Sequence, residues 1–202
     1  MPERPNVLVV AAGGTIGMTY DERAKSYAPT LGAGDMLAWF KDKKLPCDVS
    51  VLDWSRQPSS HYNIRMMADL VELLRKQAGQ GINGIVVTAG TDSIEEMSYL
   101  VDLLWPYPYP VIFTGSTLPS DQLGSDGLLN LYHAILAAAS ECTWGLGVLI
   151  CFQDQLFAAN EICKISNFKR DALAAPYRGP VAEIVANKIH IIKKPRRGRA
   201  IE

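Results

Sequence analysis

The sequence has few of the residues from which proteins build metal centres and disulfide frameworks. It contains 4 cysteines and 3 histidines in 202 residues, and none of the cysteines forms a C-x-x-C pair. Structural zinc sites and disulfide-rich domains need such residues at close, regular spacing. We therefore expect reduced thiols and no metal site. The residues concerned are Cys47, Cys142, Cys151, Cys163, His61, His133 and His190.

The chain also lacks an excess of charge of either sign and lacks a long apolar run. Its 20 basic and 21 acidic residues leave a formal net charge of -1, so no overall field attracts nucleic acid or an anionic membrane. The first apolar run, residues 7–12, is too short for a signal peptide or a membrane span. These observations predict a cytoplasmic protein whose partner is a small neutral or zwitterionic molecule.

The length of the chain fits one compact domain followed by a tail. Residues 1–192 form the predicted domain, whereas residues 193–202 (KKPRRGRAIE) are basic, contain Pro and Gly, and show no periodicity. We interpret this second segment as a linker or a frayed end. A nucleic-acid site is the weaker interpretation, because the net charge of the whole chain is close to zero.

Short apolar runs alternate with helical patterns along the chain. Four runs predict buried strands, at residues 6–11, 85–88, 111–114 and 146–151. Four segments have the spacing of helices, at residues 33–41, 63–78, 93–104 and 127–140. The alternation predicts an α/β fold, a doubly wound and mostly parallel sheet with helices on both faces, and residues 182–192 predict a short C-terminal hairpin. In such a fold, ligands bind outside the carboxyl ends of the strands.

Two of the predicted strands are followed by a glycine turn that carries a threonine. The turns are GGTI (13–16) and GTDS (90–93). Glycines let backbone N–H groups approach a substrate closely, and such donors can stabilise the oxyanion of an acyl transfer. A threonine nucleophile needs a neighbouring base or phenolic group. Tyr20 and Tyr27 are available in a polar segment, residues 18–29, that is long enough to act as a lid.

A structural interpretation of the same turns stays open beside the catalytic one. Thr91 or Asp92, placed before Glu95 and Glu96, could simply cap the following helix. The turn at residues 13–17 lacks the G-x-G-x-x-G spacing of a dinucleotide site, and a Walker-type phosphate loop is absent from the sequence. We therefore expect no nucleotide cofactor.

Six segments, in the same order along the chain, resemble the bacterial-type L-asparaginases, most closely the cytosolic type I branch. AGGTIGM (12–18) resembles the first signature of this family, and SYAP (26–29) lies at the position of its lid tyrosine. PSSH (58–61) is similar to its substrate-binding Asp-Ser-Ser-Asn loop, and AGTDS (89–93) to its His-Gly-Thr-Asp-Thr signature. PVIFTGS (110–116), with SDG (125–127), matches its next strand and helix.

The resemblance implies a role for each of these positions. Thr15 is implied as the nucleophile that forms an acyl-enzyme, and Tyr27 as the group that activates it from the lid. Thr91 and Asp92 are implied to orient the attacking group and to bind the substrate ammonium. The implied substrate-binding residues are Gly14, Ser59, Ser60, Gly90 and Ser116, with Ser59 and Ser60 on the α-carboxylate. The resemblance also implies a homo-oligomer, a dimer or tetramer, and no metal or other cofactor.

The sequence departs from the family pattern at the residue before the Pro-Val-Ile strand. The resemblance implies a lysine there, beside the second threonine and aspartate, and this chain has Tyr109. We therefore expect Asp92 to lack a cationic partner and Thr91 to lack a base. Two further positions of the signatures are Ala12 and Ala89, and the Arg-Gly-Asn-Arg segment of the family is replaced by AANE (158–161), with Lys164 retained.

The resemblance also implies a second domain that this sequence does not include. We expect either a separate polypeptide that supplies this domain or a rebuilt, open site. The leading hypothesis is an asparaginase-like amidohydrolase that acts on a small carboxamide or amino-acid-derived substrate through a threonine acyl-enzyme. The alternatives are a family member with another reaction, on a lactam, ester or other acyl substrate, and a non-catalytic subunit of a split enzyme.

Overall fold

The computed structural model describes residues 4–198, 200 and 201. The first three residues of the predicted domain, and Arg199 and Glu202 of the predicted tail, lie outside the described residues. The strands are β1 (Asn6–Ala12), β2 (Met18–Asp21), β3 (Ser26–Pro29), β4 (Asp48–Ser55), β5 (Gly84–Ala89), β6 (Val111–Thr114), β7 (Val148–Phe152), β8 (Gln155–Ala158), β9 (Cys163–Lys164), β10 (Leu173–Ala174), β11 (Ala182–Val185) and β12 (Lys188–Ile191). The α-helices are α1 (Ala33–Leu37), α2 (Ile64–Gln77), α3 (Ile94–Leu104) and α4 (Gly127–Ala138).

Eight strands form one central sheet in the order β12-β11-β8-β7-β6-β5-β1-β4. The five strands from β4 to β7 pair in parallel, whereas β8, β11 and β12 extend the sheet in antiparallel fashion. Two small antiparallel pairs, β2–β3 and β9–β10, lie outside this sheet. The predicted α/β class with a mostly parallel sheet is therefore confirmed.

The central strands are buried on both faces because helices cover both sides of the sheet. Within β1, Val7 and Val9 belong to the core that includes residues of α1 and α4, whereas Leu8 and Val10 belong to the core that includes α2 and α3. Adjacent residues of a strand point to opposite faces, so a run without polar residues is the pattern that such a strand requires. The strand is accordingly apolar from Val7 to Ala12.

Two strands of the sheet were not anticipated. β4 lies at the edge of the sheet and alternates half-buried and exposed residues, so it lacks the continuous apolar run of the central strands. β8 follows β7 through a tight turn in which Gln153 and Asp154 both have positive φ, 47° and 62°. The predicted C-terminal hairpin corresponds to β11 and β12, joined through Ala186 and Asn187 at φ 50° and 61°. Paired left-handed residues are typical of two-residue hairpin turns.

The basic segment after residue 192 packs onto the domain, contrary to the expected frayed end. Residues 193–198 have no regular secondary structure, but Lys193 Nζ lies 2.5 Å from Glu161 Oε2. Arg197 Nε lies 3.0 Å from Asp102 Oδ1, and both side chains are largely buried. The charges that suggested a solvated tail therefore serve in part as internal ion pairs. Within the described residues, no helix is long and apolar enough to cross a membrane.

Candidate active site

The two threonine-bearing glycine turns lie against each other at the carboxyl edge of the sheet. Gly14 has φ 84° and ψ 175°, and a Cβ atom at this position would lie 2.3 Å from the backbone nitrogen of Gly90. A Cβ atom at Gly90 would lie 2.4 Å from Ser59 Oγ. Three segments that are distant in sequence therefore meet here, and glycine is required because any side chain would separate them.

Thr15 follows Gly14 on a single 3₁₀ turn, Thr15–Gly17. Ile16 anchors this turn, since its side chain is fully buried in the core beneath it. The hydroxyl of Thr15 is half-buried and has no hydrogen-bond partner among the described residues. Thr15 is thus held in a fixed turn with its hydroxyl unused by the fold. Its catalytic role stays a prediction.

A lysine from a distant loop reaches the second turn. Lys164 Nζ donates a hydrogen bond to Thr91 Oγ1 at 2.9 Å and contacts Asp92 Oδ1 at 2.5 Å. Asp92 Oδ2 also accepts a hydrogen bond from the buried Ser59 hydroxyl at 3.3 Å. These four side chains form one polar cluster, which we call the Lys164 cluster. The expectation that Asp92 lacks a cationic partner is therefore wrong.

Lys164 lowers the pKa of Asp92, chiefly through its hydrogen bond. The hydrogen bond from Lys164, and secondarily its positive charge and the Ser59 hydroxyl, hold the pKa of the Asp92 carboxyl below its usual value, against the opposing effect of partial burial. The Asp92 side chain is 58% exposed and that of Lys164 is 17% exposed. An ionised carboxylate is therefore presented to solvent at this edge, with its lysine partner behind it.

Helix capping does not account for Thr91 and Asp92. The N-cap of α3 is Ser93, and it makes no side-chain capping hydrogen bond. The side chains of Thr91 and Asp92 point to Lys164 instead of to the helix amides. Glu95, in the first turn of α3, accepts a short hydrogen bond from the backbone N–H of Lys164. The capping alternative is therefore wrong for this turn.

The predicted lid segment is a β-hairpin formed by β2 and β3. Its base is fixed to the loop after β6, because Ser120 donates to the carbonyl of Met18 from both its backbone nitrogen and its hydroxyl, at 3.0 and 2.9 Å. Tyr27 lies on β3 and is 41% exposed. Its ring packs edge-on against Tyr20 with centroids 5.5 Å apart. The hairpin that carries Tyr27 therefore starts directly after the Thr15 turn. The role of Tyr27 in activating Thr15 stays a prediction.

Tyr109 lies at the opposite edge of the sheet from Thr91 and Asp92. It precedes β6, so it occupies the amino end of that strand, whereas Thr91 and Asp92 follow the carboxyl end of β5. Its hydroxyl donates a short hydrogen bond to the carbonyl of Ala78 at the end of α2. Burial raises the pKa of this phenol, which keeps it protonated as a donor. Tyr109 is therefore a structural residue remote from the candidate site.

The two remaining serines differ in their availability. Ser60 lies on the 3₁₀ turn Ser59–His61 and is exposed, so a ligand can reach it. Ser116 is 1% exposed, and its hydroxyl donates to the carbonyl of Leu118 at 2.8 Å. The hydroxyl of Ser116 therefore donates within its own loop, and its role in substrate binding stays a prediction.

A buried carboxylate and amide fix the loop that carries Ser116. Asp126 accepts hydrogen bonds from the backbone N–H of Thr117 and Leu118 at 3.0 and 3.2 Å. Asn130 donates to both Asp126 Oδ2 and the carbonyl of Gly115 at 3.0 Å. A Cβ atom on Gly115 would in turn lie 2.5 Å from the carbonyl oxygen of Ala89, just before the second glycine turn. The network therefore holds the loop that begins at Gly115 against the strand end that leads into the second glycine turn.

Lys164 is the residue that the reasoning on the sequence undervalued. It lies in a stretch with no long element, where the two-residue strands β9 and β10 give no periodic pattern. Its contact with Thr91 spans 73 positions, so no local spacing reveals it. The sequence did contain one indication of its importance. Lys164 is retained although the nearby Arg-Gly-Asn-Arg segment of the family is replaced by AANE (158–161). The rule that a residue before a parallel strand lies at the amino edge also argued against Tyr109.

Comparisons with known proteins identify the family of this chain. A family model described as "Asparaginase, N-terminal" matches residues 6–197. The chain is 28% identical over 203 residues to a glutaminase-asparaginase of Pseudomonas fluorescens biotype A, which covers 98% of this chain and 55% of that protein. It is 30% identical over 161 residues to an L-asparaginase of Bacillus licheniformis, which covers 79% of this chain and 49% of that protein.

The fold also matches a solved structure, described as a probable cytoplasmic L-asparaginase from Campylobacter jejuni. The TM-score is 0.87 at 23% sequence identity, with 98% of this chain and 60% of that chain covered. The chain spans about half the length of the curated relatives it matches. Since the family model covers almost all of the sequence and the predicted signatures converge in space, the chain belongs to the asparaginase family, in the region of its N-terminal domain.

Proposed function

We propose that this chain carries the catalytic residues of an amidohydrolase that acts on a small amino-acid-derived carboxamide through an acyl-enzyme at Thr15. The observation that carries the proposal is the contact of Lys164 Nζ with both Thr91 Oγ1, at 2.9 Å, and Asp92 Oδ1, at 2.5 Å. This contact gives the second glycine turn a cation beside its hydroxyl and its carboxylate. The close approach of Gly14 to Gly90 brings the first turn to the same place.

In the first step, the Thr15 hydroxyl attacks the carbonyl carbon of the amide. A new C–O bond forms, the C–N bond breaks, and the hydroxyl proton leaves with the nitrogen as ammonia. Tyr27, on the hairpin that starts at this turn, is the phenolic group available to relay that proton. Backbone N–H groups of the glycine turns are the donors available for the oxyanion of the tetrahedral intermediate.

In the second step, water attacks the ester carbon of the acyl-enzyme. The C–O bond to Thr15 breaks, the hydroxyl of Thr15 is restored, and the product leaves as a carboxylate and a proton. Lys164 Nζ donates to Thr91 Oγ1, so the two side chains form a pair that can orient the water, whose proton passes to solvent as the carboxylate product forms. The two threonines then have separate tasks, attack by Thr15 and water activation by Thr91.

The charges around the turn favour a zwitterionic substrate. The lowered pKa of Asp92 keeps its carboxylate ionised near neutral pH, and more than half of that side chain is exposed to a ligand. It can therefore pair with a substrate ammonium. The hydroxyl of Ser60 and that of Ser59, which already lies 3.3 Å from Asp92, are the neighbouring donors for a carboxylate. An α-amino acid amide would satisfy both sets of groups.

Ammonia release from asparagine, glutamine and simple aliphatic amides tests the proposal. Thr15→Ala should abolish turnover, and Thr15→Ser should retain part of it. Intact-protein mass spectrometry after rapid acid quench should detect an acyl adduct that is absent in Thr15→Ala. Equal rates for wild type and Thr15→Ala would refute the threonine mechanism.

One alternative retains a specific observation in its favour. The match covers 55% of the first relative, so a subunit that works only with a second polypeptide remains a candidate. Native mass spectrometry of protein purified from its source distinguishes the two cases, because the leading proposal expects a homo-oligomer with activity of its own. The alternative of a different reaction rested on the loss of lysine at Tyr109 and on the second domain that the sequence does not include, and the Lys164 cluster removes the first of these two grounds.

The predicted cytoplasmic location and the predicted homo-oligomer stay predictions. The names of the relatives do not decide the location, since one is a probable periplasmic L-asparaginase of Haemophilus influenzae, 26% identical over 193 residues. Cell fractionation and sedimentation of the purified protein would test these two points independently of activity.

A further inference from the structure

We propose that Glu95 is a positioning residue that fixes Lys164 against Thr91 and Asp92, an inference that rests on the proposed function. Glu95 lies in the first turn of α3, where an acidic residue would ordinarily be assigned to the helix terminus alone. Here its carboxylate accepts the backbone N–H of Lys164, a residue 69 positions away. It therefore joins the loop of the lysine to the helix of the second turn.

Lys164 is bonded at both ends to the same short segment of chain. Its ammonium contacts Thr91 and Asp92, and its amide contacts Glu95, so the whole residue is held by residues 91–95. Thr91 and Asp92 precede α3, and Glu95 is part of it, which makes the segment one rigid unit. An amide held at one end and an ammonium held at the other leave the side chain little freedom in position.

The local structure around Lys164 gives it little other support. β9 contains only Cys163 and Lys164, and its partner β10 contains only two residues. The loop between them, residues 165–172, is mostly exposed, and Phe168 within it is 91% exposed. A two-strand ladder of this length is weak by itself. The hydrogen bond to Glu95 is therefore the contact best suited to set the depth at which the lysine enters the site.

Two substitutions at Glu95 separate positioning from an effect on the helix terminus. Glu95→Gln keeps the length of the side chain and an oxygen acceptor but removes the charge. Glu95→Asp keeps the charge near the helix terminus but withdraws the acceptor by one methylene group. Positioning predicts that Gln is tolerated and Asp is not, whereas a helix-terminus role predicts the reverse order. Glu96, the exposed neighbour in the same turn, supplies the matched control Glu96→Gln.

The experiment measures amide hydrolysis and, separately, the titration of the Asp92 carboxyl by carbon-13 NMR. Glu95→Asp and Glu95→Ala should lower kcat by about 10²-fold, the loss expected from a displacement of roughly 1 Å in a catalytic group. In both variants the pKa of Asp92 should rise toward its usual value, because its lysine partner has moved. Glu95→Gln and Glu96→Gln should keep the wild-type rate and the wild-type titration.

The Asp92 titration tests the positioning role of Glu95 even if the protein hydrolyses no amide. If the wild type hydrolyses no amide, the proposed function fails, but a raised Asp92 pKa in Glu95→Asp with an unchanged one in Glu95→Gln still supports positioning. An unchanged Asp92 titration in Glu95→Asp, or an impaired Glu95→Gln beside a normal Glu95→Asp, would overturn it. Should Glu95→Ala fail to fold, the Gln and Asp pair decides alone.

Discussion

The two edges of the central sheet are built from different chemistry. At the carboxyl edge, glycine turns bring the Lys164 cluster and Thr15 together, and the Thr15 hydroxyl has no partner among the described residues. At the amino edge, the rings of Trp105, Tyr107 and Tyr109 pack together, with centroids 4.9 to 5.8 Å apart. The carboxyl edge keeps polar groups available to a ligand. At the amino edge, the polar groups form hydrogen bonds within the protein and the rings pack against each other. Substitutions at the first should therefore change activity, and those at the second stability.

The largest effect is expected from Lys164→Met. Methionine keeps much of the apolar length of the side chain but removes the ammonium that contacts Thr91 and Asp92. We expect amide hydrolysis to fall by about 10²- to 10³-fold, comparable to the loss of one transition-state donor, with little change in melting temperature. The control is Lys169→Met in the loop that follows β9, where among the described residues the hydrogen bonds of Lys169 are made by its backbone and not by its ammonium. Equal rates for Lys164→Met and the wild type would remove the functional distinction between the edges.

Gly14→Ala is expected to damage both stability and activity. Its φ and ψ of 84° and 175° are essentially restricted to glycine, so alanine costs about 1–3 kcal/mol in backbone strain before any contact is considered. The new Cβ would also displace Gly90, whose nitrogen lies 2.3 Å from that position. Urea unfolding and initial rates measure the two effects. Gly34→Ala, in α1 with open space around its Cβ, should instead be neutral or stabilising by about 0.5–1 kcal/mol.

At the amino edge, Tyr109→Phe should lower stability and leave the rate unchanged. The phenol satisfies the carbonyl of Ala78 at the C-terminal end of α2, a group that has no partner within the helix. Its loss leaves a buried acceptor without a donor, at a cost of about 1–3 kcal/mol in free energy of unfolding. A drop in kcat with unchanged stability would show that the two edges are not independent.

The smallest effect is expected when the Asp92 carboxylate is removed and the free energy of unfolding is measured. Its pKa is lower in the folded than in the unfolded protein, so its contribution is present above the ordinary pKa of an aspartate and is lost as the pH falls through the folded value. Because most of this side chain is exposed, Asp92→Asn should change the free energy of unfolding at neutral pH by less than about 1 kcal/mol. The difference between variant and wild type should vanish below the folded pKa in urea titrations at acidic pH.

Much of the fold could be predicted because its central strands and helices carry strong local patterns. The four continuous apolar runs correspond to β1, β5, β6 and β7, and the helical spacings correspond to α1 to α4. β4 escaped notice because an edge strand needs only half of its residues to be apolar. The docked tail escaped because the burial of Arg197 depends on Asp102, which is distant in sequence.

The candidate site was predictable only where it follows the strands. Thr15 and Thr91 are placed by glycine turns that any parallel sheet brings to one edge. Lys164 arrives from a loop whose course is set by tertiary contacts, including its amide bond to Glu95, and no local spacing encodes that course. The prediction that Asp92 lacks a cationic partner was wrong because it expected the lysine at position 109. A residue that precedes a parallel strand lies at the edge of the sheet away from the ligand.

The docked basic segment has a practical consequence for handling the protein. Arg197 is paired with Asp102, beside the start of β7, and the amide of Ile201 donates to the carbonyl of Leu103 at 2.8 Å. Arg4 is paired with Asp48 at the start of β4. Both ends of the described chain therefore emerge at the amino edge. A label or solid support attached near Arg4 or Arg197 therefore faces away from the glycine turns.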